Sequence, residues 1–354
     1  MKRLNSVTPT EAMIADIRAK SLPGRVYNLS AGDPDLPPCD ALKEAYYSSN
    51  LNTTHRYCSS AGLPALREKL WRNADEVIIS NGAKQLIYMS LSAVTQPGNE
   101  VVIIGPCWTS YMRICSLLGL RFNLLTGAAE NRYIPDISQI KAAVTKNTAA
   151  VLMNTPNNPT GAVYPDEFVH EVLDVVRAND SRLITDEIYR YISDVPFHTL
   201  RGEKDVIVID GFSKSLSVTG WRLGYAIASK EIIDAMIGIQ SQMSGPPGTL
   251  MQSILLSAFD TLRYSTFDDY RERVDVLCDI PKLSAARPQG GFYFYVPICS
   301  NWESSAALCE KMLMQHSIAL TPGDDYGVAR TVRISVASEP VEALREIKEL
   351  LTEI

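Results

Sequence analysis

No Cys-x-x-Cys pair occurs among the seven cysteines of this chain, and an odd count builds no complete disulfide framework. Histidine is scarce. His55, His170, His198 and His316 are the only four, and none stand at ligand spacing, so the pattern offers no metal site. Basic runs are missing and the formal net charge is −6, which argues against a nucleic-acid partner. No apolar run approaches the roughly 20 residues of a membrane-spanning helix. Lys2 and Arg3 are followed by Leu4-Asn5-Ser6 instead of an apolar stretch. No signal peptide is therefore expected, and the expected location is the cytoplasm. Neither G-x-x-x-x-G-K-S/T nor G-x-G-x-x-G is present, which removes the P-loop and the dinucleotide-binding fingerprint.

What remains is an ordinary globular composition. With 46% hydrophobic and 21% charged residues over 354 positions, wholesale disorder is excluded and a large core is affordable in length. Short continuous apolar runs read as strands buried on both faces: Val77 to Ile79, Val101 to Ile104, Ala150 to Met153, Leu183-Ile184, Val206 to Ile209 and Leu223 to Ala228. Amphipathic, helix-like stretches lie between several of them, at Gly82 to Val94, Thr109 to Leu118 and Asp166 to Arg177. This alternation predicts an α/β fold with a mostly parallel sheet flanked by helices. The ends differ. A helix is expected over residues 8–20, then the Pro/Gly-rich SAGDPDLPP. After about residue 250 come helical patterns, GGFYFYVP and TVRISVA as strands, and a last helix from Glu339. The expectation is a large α/β domain over residues 40–250 and a smaller α+β domain formed by 1–39 and 251–354.

In open α/β sheets ligands bind beyond the carboxyl ends of the strands. Four segments stand there. Asn81-Gly82-Ala83-Lys84 joins a strand to a helix, and free N–H groups at a helix start suit a phosphate. Asn154 to Gly161 places side-chain amides at a strand end between prolines. Asp186 and Glu187 end another buried strand, with Tyr189 close behind. Lys214 and Arg222 lie in FSKSLSVTGWRLGY, where arginine suits a phosphate and its charge disfavours the charged form of a nearby lysine. Each segment also has a plain structural reading, as a tight turn, an Asn-Pro turn, a helix cap or ion pair, and a solvated lysine. The strand ending in Asp-Glu also resembles the magnesium-binding strand of a P-loop nucleotidase, but the upstream loop is absent. Together the four supply a phosphate turn, an amide, an acid, a phenol, a lysine and an arginine on one predicted sheet edge. A carbonyl cofactor with a phosphate and a ring nitrogen needs nearly all of them. Pyridoxal 5′-phosphate (PLP) is such a molecule, using the lysine for an imine and the acid for its pyridinium nitrogen.

In their order and spacing, NNPTG, TDEIY and SKSLSVTGWRLGY resemble the fold-type-I PLP-dependent aminotransferases of class I/II, in the aspartate aminotransferase-like subgroup. The likeness runs from TPTEAMIADIRAK to VRISVAS. The resemblance implies that Lys214 forms the aldimine and shuttles the proton, that Asp186 pairs with the pyridinium nitrogen, and that Asn158 and Tyr189 hydrogen-bond the ring's phenolic oxygen. It implies that Trp108 stacks on the ring. Ala83, Lys84 and Arg222 would hold the phosphate, the first two through backbone groups. Arg333 and Gly32 would bind the substrate α-carboxylate. It also implies a homodimer in which Tyr57 reaches the phosphate of the neighbouring subunit.

Three departures from the family pattern stand out. The segments between LREKLWR and DEVIISNG and around CDIPKLSAARPQGGFY are shortened. Gly211 stands where many relatives carry a serine on the phosphate, with Ser213 as the residue that could compensate. The 244–250 segment SGPPGTL, which usually lies near the cofactor, is rich in Gly and Pro. No side chain is assignable as a clamp for a second carboxylate, which with the trimmed loops points to a specialised biosynthetic role. The expected activity is ping-pong transfer of an amino group from an α-amino acid to a 2-oxo acid. The alternatives are a PLP-dependent lyase, cyclase or oxidase and, further off, a non-catalytic PLP-binding regulator.

Overall fold

The computed structural model describes residues 8–354; the stretch from Lys2 to Ser6, and with it the start of the expected 1–39 segment, lies outside the described residues. Among the described residues twelve strands form three sheets. They are β1 (Tyr27–Asn28), β2 (Val77–Ser80), β3 (Glu100–Gly105), β4 (Arg121–Thr126), β5 (Thr148–Asn154), β6 (Arg182–Asp186), β7 (Val206–Gly211), β8 (Gly224–Ile227), β9 (Tyr293–Pro297), β10 (Ile318–Ala319), β11 (Thr321–Pro322) and β12 (Thr331–Ser335). The large sheet has seven strands in the order β2-β8-β7-β6-β5-β3-β4. Only β8 runs against its neighbours, so the sheet is mostly parallel.

The apolar runs become strands because both faces are covered. Ile103, Leu152, Ile184 and Ile207 pack under the helices Ala83–Val94 and Lys230–Met243. Val102, Val151, Leu183 and Val208 pack on the opposite face, against the helix Asp166–Ala178. Beside this sheet, β9, β11 and β12 form an antiparallel sheet whose core includes Phe292, Phe294, Val332 and Ile334. β1 pairs in parallel with β10, which ties the first described segment to the last third of the chain.

Several elements differ from the sequence expectation. The first helix is Glu11–Ser21 where residues 8–20 were expected, and the two-residue strands β1, β10 and β11 were not foreseen. β4 was not foreseen, because its first three residues are exposed and it carries Arg121 and Asn123 among its apolar positions. The last helix begins at Val341, not Glu339, with Pro340 at its cap. Proline fixes φ and lacks an N–H, so it starts a helix more readily than it sits inside one. Among the described residues no helix is long and apolar enough to cross a membrane.

Candidate active site

β2, β3, β5, β6 and β7 all deliver their carboxyl ends to one cleft of about 530 Å³. Every residue to which the resemblance gives a role lines it, except Tyr57, which is 95% exposed elsewhere.

The turn after β2 is shaped by glycine. Gly82 has φ +86, and a Cβ there would stand 2.7 Å from Nη2 of Arg222. A Cβ on Gly224 of β8 would stand 2.9 Å from the Ala83 nitrogen. The turn therefore closes tightly onto Arg222, whose Nη1 donates to the Thr219 carbonyl at 3.0 Å. No side chain caps the helix that starts at Ala83, so its first N–H groups stay free for an anion. The Lys84 side chain enters the cleft as well. Its Nζ lies 4.9 Å from the centroid of the Trp108 ring. Burial and then Arg222 lower its pKa.

Two adjacent amides after β5 divide their work. Asn157 is spent on the loop: its Oδ1 accepts from the Thr160 N–H at 3.1 Å and its Nδ2 donates to the Pro106 carbonyl at 3.2 Å. Asn158 reaches the cleft, where its Oδ1 accepts from Nη1 of Arg333 at 3.0 Å. Asn154 locks the arrangement, donating to the Asp186 carbonyl at 2.8 Å and accepting from the Asn158 N–H at 2.7 Å.

Asp186 and Glu187 point to different places. Asp186 is buried in the cleft wall, accepting from the Tyr111 hydroxyl at 2.7 Å and the Ile188 N–H at 3.2 Å. Burial lifts its pKa to about 6, with those two hydrogen bonds opposing. Glu187 does not line the cleft. It accepts from the Thr199 hydroxyl at 2.5 Å and the Leu200 N–H at 3.1 Å. Burial raises it to about 7, with Arg201 opposing and Asp210 adding to the rise. The folded carboxyl thus keeps its proton where an unfolded one has lost it. The folded state binds more protons between about 4.5 and about 7, so stability is lost as pH rises through that window. In Glu187→Gln this loss should disappear, seen as a flatter profile of melting temperature against pH.

Lys214 donates from Nζ to the Gly32 carbonyl at 2.5 Å. Burial lowers its pKa to about 8; Asp33 opposes, while Arg333 and Arg222 push the same way. Ser213 lines the cleft. A side chain at Gly211 would be crowded: a Cβ would stand 3.0 Å from Cδ1 of Ile188 and 3.1 Å from the Leu223 carbonyl. Arg333 on β12 is buried, with Nη2 donating to the Ser30 carbonyl and the Tyr293 ring under its guanidinium at 4.6 Å. Its Nε has no hydrogen-bond partner.

These groups fit PLP. A buried carboxyl such as Asp186 calls for a cation, and no described cation lies within ion-pair distance of it. A pyridinium N–H is such a cation. The glycine turn with Arg222 has the shape and charge that suit a phosphate. The Arg333 guanidinium lines the cleft, and a carboxylate is the group a guanidinium pairs with best.

Residues 25–351 match the family described as aminotransferase class I and II. The chain belongs to that family. The aspartate/prephenate aminotransferase of Thermus thermophilus is 30% identical over 98% of this chain and 96% of its own. The aspartate aminotransferase of Thermotoga maritima is 29% identical over 99% and 98%. Among solved structures, the Thermus thermophilus aspartate aminotransferase with maleate superposes at TM-score 0.91, with 28% identity, over 99% of this chain and 98% of that one. The aminotransferase is PLP-dependent and transfers amino groups in two half-reactions at one site. The names of these relatives favour this over the lyase, cyclase, oxidase and regulator alternatives.

Sequence reading missed several groups of the aminotransferase's cleft: Tyr111, Asp33, Thr219 and Tyr293. Only Tyr111 carried a signal, standing one helical turn after Trp108 and meeting its ring edge-on at 5.6 Å.

Proposed function

We propose that the enzyme moves an amino group from an acidic α-amino acid to a 2-oxo acid, with Lys214 as its reacting amine. The observation that carries this reading is the convergence of Lys214, Asp186, Arg333 and Lys84 on one cleft. When bound, PLP supplies an electron-accepting ring conjugated to the reacting carbon. Asp186 would hold a proton on the ring nitrogen. Tyr189 and Nδ2 of Asn158 would donate to the ring oxygen, and Trp108 would pack against the ring. Backbone N–H groups of Ala83 and Lys84, with Arg222 and Ser213, would hold the phosphate. Arg333 grips the substrate α-carboxylate through charge-assisted hydrogen bonds, aided by the Gly32 backbone. Nζ of Lys214 takes the proton from the substrate α-carbon and returns it across the site. Its pKa of about 8 keeps a neutral fraction accessible near physiological pH.

The acidic donor is supported by Lys84, a role the sequence had not suggested. Its ammonium lines the cleft and has no described carboxylate partner. The names of the relatives, aspartate and aspartate/prephenate aminotransferases, and the dicarboxylate maleate in one of them agree with it. Lys84→Met should lower kcat/KM for aspartate about 10–100-fold, the worth of a hydrogen bond to a charged group, while leaving a neutral donor nearly unchanged. Equal losses for both donors would refute the acidic-donor assignment. Efficient and equal turnover of aspartate and glutamate would overturn the specialised biosynthetic role.

The active unit in this reading is a homodimer. Tyr46, Tyr47, Leu51 and Tyr57 are large apolar side chains exposed close together in the chain, which is in keeping with an association surface. Tyr57 would reach the partner's phosphate. In Tyr57→Phe the dimer should persist by sedimentation while cofactor affinity drops about tenfold or more. The division into a large domain over 40–250 and a small one from the flanking segments is supported by the separate sheets. Seven free cysteines are in keeping with a reducing cytoplasm.

The direct test is the absorption spectrum of the PLP-loaded protein as single amino acids are added. Conversion to the pyridoxamine phosphate form by an acidic donor, with release of the 2-oxo acid, is expected. Ammonia release without that conversion would overturn the assignment.

A further inference from the structure

Tyr293 belongs to none of the motifs that led to the site, yet it touches three groups of it. It lies fully buried on β9, in the sheet that also carries Arg333. Its hydroxyl is 3.0 Å from the Tyr189 hydroxyl. Its ring stands edge-on to the Tyr189 ring at 5.7 Å and lies beneath the Arg333 guanidinium at 4.6 Å. A Cβ on Gly32 would collide with the hydroxyl, so glycine is required there for Tyr293 to reach in.

A phenol has one proton to donate. In the Tyr189–Tyr293 pair either hydroxyl can be the donor. Once Tyr189 gives its proton to a ligand oxygen, it can only accept from Tyr293. Among the described residues the Tyr293 hydroxyl has no other hydrogen-bond partner, so nothing competes for its proton. The direction of the pair is then fixed. A donor that itself accepts a hydrogen bond becomes a stronger donor, because bonds in a chain polarise one another.

We propose that Tyr293 is a positioning residue for amino transfer: its hydroxyl donates to Tyr189 and strengthens the Tyr189 hydrogen bond to the cofactor's ring oxygen, while its ring fixes the plane of Arg333. This rests on the reading that Tyr189 contacts that oxygen. The charged groups facing the pair are Arg333 from β12, Asp186 from the end of β6 and Asp33 from the segment beside Gly32. None is removed by changing the Tyr293 hydroxyl.

The test is the pH titration of the bound cofactor's visible absorption in four holoenzymes: wild type, Tyr293→Phe, Tyr189→Phe and the double variant. Phenylalanine keeps the ring, so the fold and the Arg333 contact should survive. Tyr293→Phe should raise the apparent pKa of the chromophore, since a weaker Tyr189 donor stabilises the anionic ring oxygen less and the chromophore keeps its proton to higher pH. Tyr189→Phe should raise it further. In the Tyr189→Phe background, Tyr293→Phe should add nothing. An equal shift in both backgrounds, or no shift in either, overturns the relay. No shift from Tyr189→Phe itself overturns the underlying reading of Tyr189, which separates the two failures. For the ring's part, Tyr293→Leu should raise KM for the amino acid where Tyr293→Phe does not. Equal KM in the two variants overturns the Arg333 contact.

Discussion

Lys214→Ala should abolish turnover while leaving the fold intact. General acid–base transfer alone contributes about 10²–10⁴-fold, and Lys214 is assigned both that role and the covalent one. The loss in kcat should therefore reach at least that range. The structural cost is small. The side chain gives up one hydrogen bond, to the Gly32 carbonyl. Against that, an amine disfavoured by burial is removed. Melting temperature and circular dichroism should stay close to wild type. Substantial turnover by a folded Lys214→Ala protein would contradict the assignment outright.

Asp186→Asn should be the second largest loss. The amide matches the carboxyl in shape and can still accept from the Ile188 N–H and meet the Tyr111 hydroxyl. It cannot hold a proton on the ring nitrogen as a carboxylate does. Removing one preorganised electrostatic group from a site of this kind costs about 10²–10³-fold in kcat. Stability should not fall with it. Burial already pushes the Asp186 pKa up to about 6, so the fold gains little from its charge. A variant that lost stability and activity together would mean that Asp186 is chiefly structural. The split between kcat and melting temperature distinguishes the two.

The parallel sheet was legible because strands covered on both faces must be apolar throughout. Val206 to Ile209 and Val101 to Ile104 could be read as such from their letters alone. β4 was not, since an edge strand with exposed Arg121, Phe122 and Asn123 has no such pattern. Its place is decided by pairing with β3. The strand-end residues were legible because chemistry gathers at that edge of the sheet. Tyr293 was not, and Tyr111 only through its spacing from Trp108, since their partners Tyr189 and Asp186 are 104 and 75 residues away in sequence. Lys84 was half legible. Its backbone was read as a phosphate donor, but the direction of its side chain depends on Trp108, which comes from another strand end. The crowding at Gly211, from Ile188 and the Leu223 carbonyl, is visible only in the packing.

Two lysines line the cleft, Lys214 and Lys84, and the central claim is that the first carries the cofactor. The measurement that tests it most directly is mass spectrometry of peptides from the PLP-loaded protein after borohydride reduction. The phosphopyridoxyl mass should be found on the peptide containing Lys214 and on no other. Its appearance on the Lys84 peptide, or its absence from both, would contradict the account.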